Sequence, residues 1–308
     1  MPSIPAVQVL IAGATGYIGR LLALELSRAG QAPRVIARTP AKARDLAEAG
    51  CEVVEGDVLR RETLDQALQG IGCAYYLVHS MGRGGEGRFA ERDHDGAENF
   101  AAAAADAGVD QIIYLGGLSD GGSKHLESRH ATAGHLAATG VPVTYMRAAA
   151  VIGGGSESFR TVYYLVKRLP VMVTPRWVTT RTQPIGVRDV IAYLSQTAGM
   201  DAARGRVIEI GGPNVTTYGG MMDALAAAMG KRPPPKIGVP VLTPYLSSLW
   251  IGLVTPVDAG VARPLIEGLA VETIVRDPSG MEMFDVDRTP IGDAMRLAVA
   301  EAPAAWTP

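Results

Sequence analysis

Three glycines recur at three-residue spacing in the segment Gly13-Ala14-Thr15-Gly16-Tyr17-Ile18-Gly19. A β-branched run, Val7–Ala12, precedes them, and an amphipathic stretch, Tyr17–Ala29, follows. Between a strand and a helix, this spacing is a phosphate-binding turn. Its first glycine permits the tight turn, its second lets a pyrophosphate reach the backbone, and its third lets helix and strand pack closely. The helix start adds free N–H groups and the positive end of its dipole. Gly13, Thr15, Gly16, Tyr17, Ile18 and Gly19 are therefore expected to hold a dinucleotide. The end of the second strand selects which one. An NAD site usually places a carboxylate there for the ribose hydroxyls, but this chain has Ala37-Arg38-Thr39. Arg38 can pair with a 2′-phosphate through charge-assisted hydrogen bonds, and Lys42 adds charge one turn later. The alternative is that Arg38 stacks on adenine. The expected cofactor is NADP(H).

Other candidates follow from position. In an open α/β sheet, ligands lie outside the carboxyl ends of the strands. Asp57 and Val58 follow the third predicted strand, His79 the fourth, and Gly116 and Gly117 the fifth. His79 either faces the nicotinamide and substrate or bonds a loop carbonyl. The five histidines show no metal-ligand spacing, and His130 and His135 fall off a shared helical face, so no metal is expected. Cys51 and Cys73 read as small buried residues.

These residues need a scaffold of alternating elements. Short apolar strands are expected at Val7–Ala12, Pro33–Ala37, Glu52–Glu55, Cys73–Val78, Gln111–Leu115 and Val143–Met146. Helices are expected between them at Tyr17–Ala29, Ala41–Ala49, Arg61–Leu68, Arg88–Ala107 and Ser128–Thr139. Gly50, Gly70, Gly108 and Gly140 mark helix ends. The pattern implies an α/β fold, a Rossmann-type doubly wound parallel sheet. After about residue 150 the rhythm loosens. The expected division is an NAD(P)-binding domain over 1–155 and a smaller, mostly helical substrate lobe over 156–308 that completes the cleft. With 308 residues, 47% of them apolar, the chain can bury a large core. A net charge of −2 argues against nucleic-acid binding. No apolar run has the ~20 residues of a membrane span, and no leader pattern is seen at the start, so a cytoplasmic protein is expected.

The glycine loop resembles that of the atypical short-chain dehydrogenase/reductase superfamily, in its NmrA-like branch, which includes relatives of a complex I accessory subunit. So do Ala37-Arg38-Thr39, Glu55-Gly56-Asp57-Val58, Tyr75-Tyr76-Leu77-Val78-His79, Ile113-Tyr114-Leu115-Gly116-Gly117 and Val143-Thr144-Tyr145-Met146-Arg147. The likeness covers about the first 215 residues, through Gln183-Pro184-Ile185-Gly186-Val187-Arg188-Asp189-Val190. It implies a Tyr-x-x-x-Lys pair for proton transfer. Here His125 falls at the tyrosine position and Arg129 at the lysine position, with Ser119 the nearest match to the family's serine or threonine. Either His125 and Arg129 replace the pair, with His79 or water as other proton sources, or the chain binds cofactor without chemistry.

In the second half, Trp177, Arg181 and Gln183 lie in a segment mixing aromatic, hydroxyl, guanidinium and amide groups, as a ligand pocket would. Two apolar helices are expected at Leu242–Val254 and Val257–Val271, fit to roof an apolar cleft or to form a homo-oligomer contact. The combined expectation is an NADPH-dependent oxidoreductase for a hydrophobic small molecule: a carbonyl, quinone or conjugated alkene. The alternative is a non-catalytic NADP-binding redox sensor or assembly protein.

Overall fold

A computed structural model of the chain describes residues 7–79, 88–119, 121, 124–174, 176–238 and 268–303. The first half alternates β1 (Val9–Ala12), α1 (Tyr17–Arg28), β2 (Arg34–Ala37), α2 (Arg44–Glu48), β3 (Glu52–Glu55), α3 (Leu64–Leu68), β4 (Cys73–Tyr76), α4 (Arg88–Asp106), β5 (Gln111–Gly117), α5 (Lys124–Ala137) and β6 (Val143–Ala148). The second half contains β7 (Val151–Ile152), α6 (Glu157–Arg168), β8 (Met172–Thr174), β9 (Arg181–Thr182), β10 (Ile185–Gly186) and α7 (Val187–Thr197). It continues through β11 (Val207–Ile210), β12 (Thr216–Thr217), α8 (Tyr218–Ala228), β13 (Lys236–Gly238) and α9 (Ile291–Glu301).

Seven parallel strands form the central sheet in the order β11-β6-β5-β4-β1-β2-β3. The winding reverses between β1 and β4, which opens a crevice at their carboxyl ends. Strands β1, β4, β5 and β6 are buried along their whole length, as a sheet covered on both faces requires. Alternation divides their side chains between two cores. Ile11, Tyr75, Ile113 and Met146 meet Leu22 of α1 and Val190 of α7. Leu10, Ala74 and Ile112 meet Leu64 of α3, Phe100 of α4 and Leu136 of α5. The outer strand β3 is exposed at both ends, where Glu52 and Glu55 discourage pairing with another sheet. A third core, with Phe159, Tyr163, Met222, Leu225 and Met295, joins α6, α8 and α9.

Gly50, Gly70, Gly108 and Gly140 all carry positive φ, as their helix-ending role requires. One expectation needs refinement. The sheet is not complete at residue 155, because α7 packs on α1 and β11 returns to pair with β6. The short run Val207–Ile210 looks like an isolated strand in sequence; only pairing assigns it to the central sheet. Leu242–Val254 and most of Val257–Val271 lie outside the described residues. Among the described residues, no helix is long and apolar enough to cross a membrane. Cys51 and Cys73 are free and buried.

Candidate cofactor cleft and active site

The crevice between β1 and β4 is a cleft of about 280 Å³. Gly13, Thr15, Gly16, Arg38, Asp57, Val58 and His79, named from sequence, all line it. Gly56, Leu59 and Arg92 join them. Gly13 has φ +91°, and a Cβ there would sit 2.5 Å from the Leu77 carbonyl oxygen at the end of β4. A Cβ on Gly19 would meet the Gly13 carbonyl, so any side chain there would push α1 off the loop. These two glycines keep a backbone cradle open where a phosphate would sit. With Arg38 and Arg92 both lining the cleft, the donor set fits a phosphorylated dinucleotide.

Each polar lining group is held by local structure. Asp57 Oδ1 accepts from the Leu59 amide at 3.1 Å, and Thr63 Oγ1 accepts from the Asp57 amide at 3.0 Å. Asn99 of α4 donates to the Val58 carbonyl at 3.0 Å, fixing the loop after β3. Tyr17 and Ile18 begin α1 but do not line the cleft with their side chains. The Tyr17 ring instead lies against Gly153 and Gly155, where a Cβ would collide with it. Lys42 is exposed in the turn Pro40–Ala43, and its carbonyl accepts from Arg20 at 2.8 Å. Its side chain does not line the cleft.

His79 stands at the carboxyl end of β4, and its Nδ1 lies 3.2 Å from Oδ2 of Asp93 on α4. Asp93 is only 5% exposed. Burial pushes the His79 imidazole below its ordinary value, the Asp93 hydrogen bond opposes this, and the Arg129 charge adds to the lowering. The pair has the form of an oriented acid–base group: a carboxylate fixes the ring and selects its tautomer. Sequence reading found His79 but missed Asp93 and Arg92. Both come from α4, whose approach to β4 has no linear signature.

Arg129 lies on α5 and donates to the Leu115 carbonyl at 2.8 Å. Tyr114 Oη donates to the Arg129 carbonyl at 3.1 Å. The guanidinium is thus anchored beside the end of β5. Gly116 is packed so tightly that a Cβ would meet the Tyr145 ring, and the Gly117 carbonyl accepts from Arg147 Nε at 3.1 Å. His125 falls in the first turn of α5, and its side chain lies outside the described residues. Ser119 donates to the Gly121 carbonyl at 2.6 Å.

The second-half candidates do not converge. Trp177 lines a separate apolar cavity of about 60 Å³ with Phe159, Leu165, Tyr218, Met222 and Met295. Ala150, Val151 and Ile152, just beyond β6, also line it. The indole packs edge-on against Tyr218 with centroids 6.1 Å apart, and its Nε1 is buried with no partner among the described residues. Arg181 is exposed and pairs with Glu272 at 3.9 Å. Gln183 is buried: its Nε2 donates to the Gly212 carbonyl at 2.8 Å and its Oε1 accepts from the Val275 amide at 3.0 Å. Both ends of this amide hold backbone, and neither cavity is lined by it.

Residues 13–163 match the family model described as NAD(P)H-binding. The first half of the chain thus carries an NAD(P)H-binding domain. A ceramide reductase of Caulobacter vibrioides is 26% identical over 296 residues, covering 84% of this chain and 91% of that protein. A (4-alkanoyl-5-oxo-2,5-dihydrofuran-3-yl)methyl phosphate reductase of Streptomyces griseus is 28% identical over 251 residues, covering 74% and 82%. The NADPH-dependent quinone oxidoreductase of Escherichia coli, solved with NADPH, superposes with a TM-score of 0.74 at 20% identity, covering 94% of this chain and 98% of that one. At that identity the superposition speaks for the fold.

Proposed function

We propose that this protein is an NADPH-dependent reductase acting on a carbonyl, quinone or conjugated alkene that carries an apolar chain. One observation supports this above the others: the apolar cavity around Trp177 is lined in part by Ala150–Ile152, which follow the carboxyl end of β6, the edge of the sheet where the cofactor cleft lies. An apolar chain seated there would direct its polar head toward the strand ends. Trp177 Nε1, a buried donor with no partner among the described residues, would bond an acceptor on that substrate. Both reductases with similar sequences carry compatible names, one specifying ceramide and the other an alkanoyl group.

When bound, the reduced nicotinamide supplies a hydride to the electrophilic carbon. Arg38 and Arg92 would hold the phosphorylated ribose, and the Gly13–Gly19 loop the pyrophosphate. His79, oriented by Asp93, would donate the proton that completes reduction when its ring is in the imidazolium form, with His125 or water as the other sources. Arg129 would hold a positive charge near the end of β5 without shuttling a proton. Arg181, exposed and paired with Glu272, lines neither cavity and has no role in this reading.

The family's Tyr-x-x-x-Lys position before β6 holds His125 and Arg129 instead, which favours a second reading, a non-catalytic NADP-binding sensor or assembly protein. One experiment separates the two. The purified chain is mixed with NADPH and a panel of long-chain ketones, quinones and enones, and absorbance is followed at the nicotinamide band. Turnover that rises with acyl-chain length is expected. Tight NADPH binding with no turnover on any member would discard the reductase reading.

A further inference from the structure

Helix α4 packs along α5, and the two bring together three side chains far apart in sequence. His94 and Glu98 lie one turn apart on α4, and His135 approaches from α5. His94 Nε2 is 3.5 Å from Glu98 Oε1, and His135 Nδ1 is 3.9 Å from the same oxygen. The two imidazoles meet edge to face, with ring centroids 4.2 Å apart. His94 Nδ1 lies 3.2 Å from Nδ1 and 3.1 Å from Nε2 of His135.

That near-equality matters. The two lone-pair directions of an imidazole diverge widely, so a donor equidistant from both ring nitrogens is aligned with neither. The pair is close but poorly served by a shared proton. A cation serves it better. Four ligands about 2.0–2.1 Å from a tetrahedral zinc ion lie roughly 3.3 Å apart, and individual pairs here fall near this, although His94 offers Nδ1 to His135 and Nε2 to Glu98. One donor atom from each residue can be chosen so that all lie within 4.8 Å. A turn of the His94 ring about its Cβ–Cγ bond would swing one nitrogen toward the common centre. The three side chains are 32% to 55% exposed, so water can complete the coordination.

We propose that His94, Glu98 and His135 form a divalent transition-metal site of the zinc class. Two imidazoles and one carboxylate suit zinc, nickel or copper, whereas magnesium and calcium require a shell of oxygens. The helix spacing of His94 and Glu98 makes a two-point chelate, and His135 turns it into a clasp between α4 and α5. The same helices carry Asp93 and Arg129 into the active-site region, so the metal would brace them from outside. The site is independent of the proposed reductase activity.

The test uses the full chain freed of any histidine tag. Equilibrium dialysis against Zn²⁺ is expected to give one bound ion per chain, and Co²⁺ is expected to give the visible absorption of a four-coordinate ion. His94→Ala and His135→Ala should lose both signals while keeping the parent's circular dichroism. His130→Ala, a nearby histidine outside the set, should keep both. Zn²⁺ should raise the melting temperature of the parent and leave that of His135→Ala unchanged. A parent that takes up no stoichiometric metal, or a folded His135→Ala variant that binds like the parent, overturns the assignment. Should the alanine variants fail to fold, diethyl pyrocarbonate labelling of the unaltered chain decides: Zn²⁺ should protect His94 and His135, and equal labelling with and without metal refutes the site.

Discussion

Replacing Arg38 by alanine isolates the choice between the two nicotinamide dinucleotides. Arg38 follows β2 directly and lines the cleft beside Gly56 and Asp57. No carboxylate among the described residues pairs with it, so its charge is available to a ligand and its removal breaks no hydrogen bond or ion pair among those residues. A hydrogen bond to a charged group contributes about 1.5–3 kcal/mol. Arg38 is exposed, so screening places it at the lower end, about 1.5–2 kcal/mol. At about 1.4 kcal/mol per tenfold, the dissociation constant for NADPH should rise roughly 10–30-fold. Arg92 remains in the same cleft, so binding weakens without vanishing. NADH lacks the 2′-phosphate and should bind the variant about as it binds the parent. The assay is a titration of nicotinamide fluorescence with each cofactor at two salt concentrations. The NADPH penalty should shrink as salt rises. Equal weakening of NADPH and NADH, or no change in either, would refute the 2′-phosphate assignment and leave Arg38 as an adenine-stacking or solvated residue.

Other perturbations test the remaining joints. Gly13→Ala forces a side chain into a φ of +91° and against the Leu77 carbonyl. The conformational cost of about 1–2 kcal/mol adds to overpacking of about 1–3 kcal/mol, so thermal unfolding should shift down and NADPH binding should be lost. A melting temperature unchanged from the parent would count against the tight cradle. Gln183→Leu leaves the Gly212 carbonyl and Val275 amide without their partner. With about 1–3 kcal/mol for each stranded group, calorimetry should show a marked loss of stability with unaltered cofactor affinity; a purely kinetic defect would instead restore Gln183 as a substrate ligand. His79 binds its proton less tightly in the folded chain than in the unfolded one. The unfolded state therefore takes up more protons below about pH 6.5, and stability should fall as pH drops from there toward the lowered folded value. His79→Gln should flatten that part of the profile in urea denaturation, and an identical slope in the variant would dismiss His79 as its source.

The sequence by itself determined the local chemistry. The glycine spacing after an apolar strand, the missing carboxylate at Arg38, and the strand-end places of Asp57, Val58 and His79 are all readable along the chain. Such residues act through backbone shape and strand order, and both are written locally. The alternation of short apolar runs with amphipathic stretches was equally legible, because burial on both faces of a parallel sheet demands it. Tertiary structure decided what depends on packing between distant segments. Asp93 orients His79 only because α4 lies against the end of β4. Val207–Ile210 belongs to the main sheet only because it hydrogen-bonds β6. Gln183, whose residue type suited a ligand, is bound at both ends by backbone that folds back from residues 212 and 275. His94 and His135 share no periodicity and meet only where α4 crosses α5. Residue type and spacing specify which groups can bind or react. Which partner each group finds is set by the helices that bury the sheet, and those contacts have no counterpart in the linear order.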